Sequence, residues 1–136
     1  MLKKGVKSRV VQVDSQEKWN HITSKPMYQD SPIIVNFTAM WCKPATAMEP
    51  LFEEQALIHK DATFLSVDVD EVKGLREKMK IKAMPTFLMM TSNKNKEWEV
   101  MDKVVGANPR EIKKRIAAFI QFGCIQIQNN VEVLEF

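Results

Sequence analysis

The stretch Trp41-Cys42-Lys43-Pro44-Ala45 follows an apolar run at residues 33–37 and precedes a segment of helical spacing. At such a junction between a strand and a helix, a C-x-x-C pair acts as a redox motif. The first thiolate attacks a disulfide, and the second thiol releases the product. In this chain Ala45 stands where the second sulfur is needed. The stretch therefore predicts attack and formation of a mixed disulfide, without intramolecular resolution.

The size and charge of the chain limit what it can be. Its 136 residues, 45% of them hydrophobic, are enough for one domain with a single core. The formal net charge is +3, and basic and acidic residues are interleaved along the sequence. No strong field of one sign is expected, so neither a nucleic acid nor an anionic membrane is an expected partner.

The first nine residues are basic, but no apolar segment of the signal-peptide type follows them. No later segment is long and apolar enough to span a bilayer. The two cysteines, Cys42 and Cys124, lie too far apart in sequence to indicate a disulfide framework. We therefore expect a soluble, cytoplasmic protein.

Apolar runs bounded by turn residues alternate with segments of helical period, which predicts an α/β domain. The expected strands cover residues 9–13, 33–37, 63–69, 83–90 and 97–105. A capping box formed by Asp14 and Glu17 is expected to open a first helix that runs to about His21. The expected domain covers residues 9–121, between an N-terminal extension at residues 1–8 and a C-terminal tail at residues 122–136.

Three further helices are expected. One begins at Ala45, is long, and bends near Pro50. Another is marked by apolar residues at helical spacing, which are Val72, Leu75 and Met79. The last begins at Asn108-Pro109, where asparagine caps the helix and proline takes its first position. The face that this helix is expected to bury consists of Ile112, Ile116, Phe119 and Ile120. The tail has no clear period and stays unassigned.

Four separated motifs resemble those of thioredoxins. They are Phe37-Thr38-Ala39 before Trp41-Cys42, then Val67-Asp68-Val69-Asp70, then Ala83-Met84-Pro85-Thr86-Phe87, and finally Asp102-Lys103-Val104-Val105-Gly106-Ala107. The resemblance runs from about Val10 to Ile120. It is closest to plant cytosolic h-type thioredoxins and, within that group, to monothiol thioredoxin-like proteins of the C-x-x-S type, although this chain is C-x-x-A. It implies a thioredoxin fold, with a central mixed β-sheet flanked by helices on both faces.

The resemblance also implies roles for the residues of the redox loop. Cys42 is the expected nucleophile, and a helix N-terminus together with Lys43 would favour its thiolate. Trp41 would form a partly exposed wall of a substrate groove, and Lys43 and Pro44 would also contact the substrate. Two plainer alternatives are a buried, inert Cys42 and a Trp41 that belongs to the core.

The segment Met84-Pro85 resembles the thioredoxin cis-proline motif. In that motif the backbone before the proline pairs with an extended substrate segment beside the thiol. Met84 and Pro85 are therefore expected to bind substrate. The plainer alternative is an ordinary proline at the edge of a strand.

Two departures from the family pattern concern the second half of the reaction. Dithiol thioredoxins carry a buried aspartate where this chain has Asn36, and that carboxylate is thought to accept the proton of the resolving thiol. An amide cannot accept it. The resolving position is also lost, because it is occupied by Ala45. A laboratory Cys-to-Ala trap would have kept the aspartate, so Asn36 together with Ala45 favours a natural monothiol protein. The alternative is that position 36 simply tolerates a polar residue.

The remaining candidates for chemistry carry weak signals. Cys124 has no flanking motif, and it would resolve the mixed disulfide only if the tail folded back, so a free or packed thiol is expected instead. His21 and His59 are isolated, and no metal site is expected. Met84, Met89 and Met90 are expected to lie mostly in the core. No cofactor is expected, although glutathione is a possible co-substrate.

Three functional hypotheses remain. In the first, Cys42 forms mixed disulfides that a substrate thiol or glutathione resolves, which gives disulfide isomerase or glutathione-linked activity and poor net disulfide reduction. In the second, the chain is a redox-inactive binding module of thioredoxin fold. In the third, it is an engineered Cys-to-Ala trapping variant of a thioredoxin h. For the first we expect protein thiols or disulfides as partners, and a monomer.

Overall fold

The computed structural model describes the backbone of residues 5–134 and the side chains of residues 5–122. It contains five strands: β1 Val10–Val13, β2 Ile33–Thr38, β3 Thr63–Asp68, β4 Thr86–Ser92 and β5 Trp98–Val105. Its helices are α1 Gln16–Ser24, α2 Pro26–Gln29, α3 Lys43–Thr46, α4 Glu49–Ile58, α5 Lys73–Lys78 and α6 Pro109–Leu134. The predicted strands are confirmed to within a few residues at each end.

The five strands form one mixed sheet in the order β1-β3-β2-β4-β5. Strand β3 pairs in parallel with β1 and with β2, whereas β4 is antiparallel to both β2 and β5. All six residues of β2 are buried, because its two faces contact two different apolar clusters. One cluster includes residues of α1 and α5, and the other includes residues of α4 and α6. The expectation of a mixed sheet covered on both faces is confirmed.

The first helix and the helix expected from Ala45 both differ from the prediction at their ends or breaks. The first helix is capped by Ser15, whose side chain accepts the backbone N–H of Lys18 at 3.1 Å, and not by Asp14. The helix also runs to Ser24, beyond the expected end at His21. Serine and aspartate are both good caps, so the sequence alone did not decide between neighbours.

The long bent helix expected from Ala45 is in fact two helices, α3 and α4, which are separated at Ala47 and Met48. The break comes before Pro50, which therefore lies in the first turn of α4. A proline there costs no hydrogen bond, because the first N–H groups of a helix have no partner within it. The proline starts a helix here instead of bending one.

The last helix begins as expected. The side chain of Asn108 accepts the N–H of Glu111 at 3.2 Å, and Pro109 takes the first helical position. Ile112 and Ile116 are fully buried, Phe119 is buried and Ile120 is half-buried. The backbone of α6 continues to Leu134, so the segment that the sequence left unassigned continues this helix. The side chain of Cys124 lies outside the described residues.

Arg9 connects β1 to the C-terminal end of α4. Its guanidinium donates to the carbonyl oxygens of Ala56 and His59, and at 3.0 Å to that of Lys60. The last carbonyls of a helix have no partner within it, and a cation beside them is favoured by the helix dipole. Arg9 thus fixes α4 against the edge of the sheet.

We predict that Arg9→Met lowers the free energy of unfolding by about 1–2 kcal/mol, since the charge-assisted hydrogen bonds to these backbone carbonyls are lost. Lys7→Met is the control, because it removes the same charge from an exposed side chain. Urea unfolding followed by circular dichroism measures both. Equal destabilisation by the two substitutions would show that the loss is one of net charge and not of these contacts.

Candidate functional site

Strand pairing brings three segments to one edge of the sheet. Parallel neighbours β2 and β3 end there, and antiparallel β4 begins there. The N–H of Val69 donates to the carbonyl of Thr38 at 2.9 Å, which holds the two parallel strand ends together. The loop after β2 carries Cys42, and the segment before β4 carries Met84 and Pro85.

Cys42 lies in a tight turn directly after β2. Its N–H donates to the carbonyl of Ala39 at 3.1 Å, and its own carbonyl accepts the N–H of Thr46 in the short helix α3. The thiol is half-buried, and its sulfur lies 3.5 Å from the carbonyl oxygen of Met84, to which it donates. The thiol is therefore neither sealed in the core nor fully exposed.

The peptide bond between Met84 and Pro85 is cis. Pro85 is buried, and Met84 is half-buried. The hydroxyl of Thr86 donates to the carbonyl of Ala83 at 2.6 Å, and the N–H of Gly106 donates to that of Pro85 at 2.9 Å. These bonds fix the turn that places the carbonyl of Met84 opposite the thiol.

Trp41 is 65% exposed, and Met40 before it is 84% exposed. The indole Nε1 of Trp41 donates to Oδ2 of Asp70 at 2.7 Å, and the N–H of Asp70 donates to Oδ1 of Asp68 at 2.8 Å. The loop after β3 thus holds an exposed indole beside the thiol. Lys43 and Pro44 are also exposed, so they line the same surface.

Ala45 and Asn36 lie inside the protein. Ala45 is fully buried, at the position where a second sulfur would stand. Asn36 is 1% exposed and pairs in register with Ser66 of β3 and Phe87 of β4. Among the residues that the structure describes, neither amide atom of Asn36 has a hydrogen-bond partner.

Asn36 borders a cavity of about 120 Å³. Its polar lining includes Gln12, Glu49, Glu53 and Ser66. A cavity of this size and polarity is large enough for a water molecule, which commonly satisfies buried amides. A neutral amide suits this place better than a carboxylate, because an unpaired buried charge is much more costly than an unpaired dipole.

We predict that Asn36→Asp lowers the free energy of unfolding by about 1–3 kcal/mol at pH 7. Burial raises the pKa of a carboxyl above the unfolded value of about 3.9. The unfolded state then releases its proton first, so the variant loses stability as the pH rises from about 4. Urea unfolding between pH 4 and 8 measures the slope.

Asn36→Leu is the control for this prediction, since it removes the amide without adding a charge. We expect it to be neutral or slightly stabilising, because an apolar group of similar shape replaces two polar atoms that make no hydrogen bond to a described residue. An Asn36→Asp variant whose stability does not change with pH would contradict the burial argument.

Two residues of this site were missed by sequence reasoning. Asp70 was recognised as part of a motif but not as the partner of Trp41, and Met40 was not singled out. The carboxyl ends of neighbouring parallel strands lie at the same edge of a sheet. Once β2 and β3 are paired, this rule predicts that Asp70, after β3, lies near the loop after β2. Within the described residues, no cluster of three His, Cys, Asp or Glu side chains is placed to hold a metal ion.

The two histidines lie outside this surface. His59 ends α4, and its N–H donates to the carbonyl of Gln55. Burial lowers the pKa of His59 below its ordinary value.

Among the described residues, no helix is long and apolar enough to cross a membrane.

The fold and the half-buried thiol beside a cis-proline define a domain of the thioredoxin class. The thioredoxin family model matches residues 10–120. The chain is 51% identical over 114 residues to thioredoxin-like protein CXXS1 of Arabidopsis thaliana, covering 84% of this chain and 92% of that protein. It is 36% identical to a thioredoxin H-type of Brassica oleracea, covering 79% of this chain and 83% of that protein.

Solved structures agree with the sequence comparisons. A wild-type thioredoxin h from poplar superposes with a TM-score of 0.72 at 31% identity, covering 81% of this chain and 95% of the poplar chain. The chain belongs to the thioredoxin family. It is a thioredoxin-like thiol-disulfide exchange protein related to CXXS1 and to h-type thioredoxins of plants. The resemblance stated from the four motifs is confirmed.

Proposed function

We propose that this protein exchanges disulfides through one thiol, as a disulfide isomerase or glutathione-linked protein, and that it is a poor net reductase. The observation that carries the proposal is the contrast between two neighbouring positions. Cys42 is accessible and contacts the Met84 carbonyl, whereas Ala45 is fully buried and brings no sulfur. The attacking half of the exchange site is present, and the resolving half is absent.

The proposed first step is attack by the Cys42 thiolate on one sulfur of a substrate disulfide. A bond forms between Cys42 and that sulfur, the substrate disulfide breaks, and the second substrate sulfur leaves as a thiolate that takes a proton from solvent. The exposed Trp41 and the Met84 carbonyl flank the thiol and support binding of an extended substrate segment.

The second step uses a thiol that the protein does not supply at Ala45. A thiolate of the substrate or of glutathione attacks the substrate sulfur of the mixed disulfide, and Cys42 leaves as the thiolate. When another thiol of the same substrate attacks, the disulfide is rearranged with no net oxidation or reduction. When glutathione attacks, the substrate carries the glutathione away as a mixed disulfide.

A binding module of thioredoxin fold is the second candidate. The exposed side chains of Met40 and Trp41 favour it, because large apolar groups at a surface commonly mark contacts with a partner. This candidate predicts that targets still bind after Cys42→Ala, whereas the exchange function requires the thiol. We further propose that the protein acts as a monomer in the cytoplasm and needs no cofactor, with glutathione as a co-substrate.

The first test is the recovery of activity by an enzyme whose disulfides have been scrambled. In a glutathione buffer we expect the wild-type protein to accelerate recovery, Cys42→Ser to fall to the uncatalysed rate, and Cys124→Ser to match the wild type. Loss of activity in Cys124→Ser, or its survival in Cys42→Ser, would contradict the assignment of Cys42 as the attacking thiol.

The second test adds the missing sulfur. We predict that Ala45→Cys raises the reduction of insulin disulfides by dithiothreitol at least about tenfold, because resolution becomes intramolecular. Ala45→Ser is the matched control, since its hydroxyl fills similar space but cannot resolve a disulfide. Equal insulin reduction by the wild type and Ala45→Cys would show that the absent thiol does not limit the reaction.

A further inference from the structure

We propose that a basic groove beside Trp41 receives acidic residues that flank the reacting cysteine of the target polypeptide. This inference rests on the proposed exchange function and names the class of substrate. The basic groove has a volume of about 520 Å³ and lies along α5 and the turn that follows it. The charged residues that line it are Lys73, Arg76, Lys80, Lys82, Asp70 and Glu77.

One hydrogen bond and one short sequence separation place the basic groove near the reacting thiol. On one side, Asp70 lines the groove and accepts the indole N–H of Trp41, the residue directly before Cys42. On the other side, Lys82 lines the groove two residues before Met84, whose carbonyl contacts the sulfur. Two residues of chain span at most about 7 Å. A polypeptide held beside Cys42 therefore reaches the groove with its next few residues.

The groove is held open by the backbone between α5 and β4. The N–H of Ile81 donates to the carbonyl of Arg76 at 2.9 Å, and Nε of Arg76 donates to the carbonyl of Ile81 at 3.3 Å. Ile81 is buried, and Lys80 before it adopts a φ of 58°. This left-handed turn reverses the chain, so Lys80 and Lys82 line the same groove as Lys73 on α5.

The charges in the groove are unbalanced. Four cations face two carboxylates, and one of these, Asp70, already accepts the Trp41 indole. Among residues 5–122, the ion pairs belong to Arg115, with Asp102 and Glu111, so no cation of the groove is paired with a carboxylate. Unpaired cations around a concave surface attract anions and raise their rate of association.

The distribution of these cations favours a polypeptide over glutathione. The cations extend over residues 73–82, along α5 and the turn after it, and Asp70 of the same groove accepts the indole N–H of Trp41. Glutathione carries two carboxylates and one ammonium group, so its net charge of about −1 would leave most of this surface unused. Several acidic side chains on an extended segment match the spread of charge better.

The test uses three peptides in which a single cysteine, joined to thionitrobenzoate by a disulfide, is flanked by Glu, Gln or Lys. Attack of Cys42 on the peptide sulfur forms the mixed disulfide and releases the coloured thionitrobenzoate thiolate. The rate is read by stopped flow in a Cys124→Ser background, so that one thiol reports. We expect the Glu peptide to react about tenfold faster than the Lys peptide at low salt, and the ratio to approach one at high salt.

The second part of the test reverses two charges of the groove and repeats the rate measurement. Lys73→Glu/Lys80→Glu should abolish or invert the preference for the Glu peptide. Lys94→Glu/Lys96→Glu is the matched control, because both lysines are exposed on the β4–β5 hairpin and the pair makes the same change in net charge. Lys96 also has a φ of 62°, close to that of Lys80. We expect this control to keep at least most of the preference.

Four outcomes overturn the inference, and the last of them also overturns the proposed exchange function. Equal rates for the three peptides, or an equal loss of preference in the control pair, would show that the groove does not select acidic segments. An effect of the groove pair on oxidised glutathione alone would assign the groove to that molecule. Absence of thiolate release from every peptide would overturn the proposed exchange function as well.

Discussion

The antiparallel pairing of β2 with β4 is the constraint on which the site depends. It brings the end of one buried strand next to the start of the other, so that the sulfur of Cys42 meets the carbonyl of Met84 at 3.5 Å. Strand β3 adds Asp70 at the same edge, and its carboxylate holds the exposed indole of Trp41. Strands β2, β3 and β4 are mostly buried, whereas the reacting groups lie in the loops that these strands position.

The residues around the thiol match those of a dithiol site, whereas two buried residues behind it do not. The surface around the thiol has the half-buried Cys42, the exposed indole of Trp41 and the cis peptide bond before Pro85. The buried part has a methyl group at Ala45 and an amide at Asn36. An amide does not take up the proton that a resolving thiol releases, and a methyl group has no thiol to release one. The two buried residues are therefore consistent with each other, and both leave resolution to an external thiol.

Most of the fold followed from the sequence, because strand position and type depend on apolar runs and on turn residues that are local. The errors fell where two local solutions compete. Ser15 and Asp14 are both good caps, and Pro50 is compatible either with a bend or with a helix start. The basic groove was not predicted, because a left-handed turn at Lys80 brings Lys80 and Lys82 to the same groove as Lys73, and no local sequence motif indicates that turn.

The central claim is that Cys42 forms a mixed disulfide that the protein itself does not resolve. The most direct measurement mixes reduced Cys124→Ser protein with the thionitrobenzoate disulfide of a single-cysteine peptide, which leaves no second peptide thiol to resolve the adduct. The reaction is quenched with acid at intervals, and adducts are counted by intact mass spectrometry. The account predicts one adduct per chain, located at Cys42, that persists until glutathione is added and then disappears. Complete reduction of the substrate without an accumulating adduct, or no adduct at all, would contradict it.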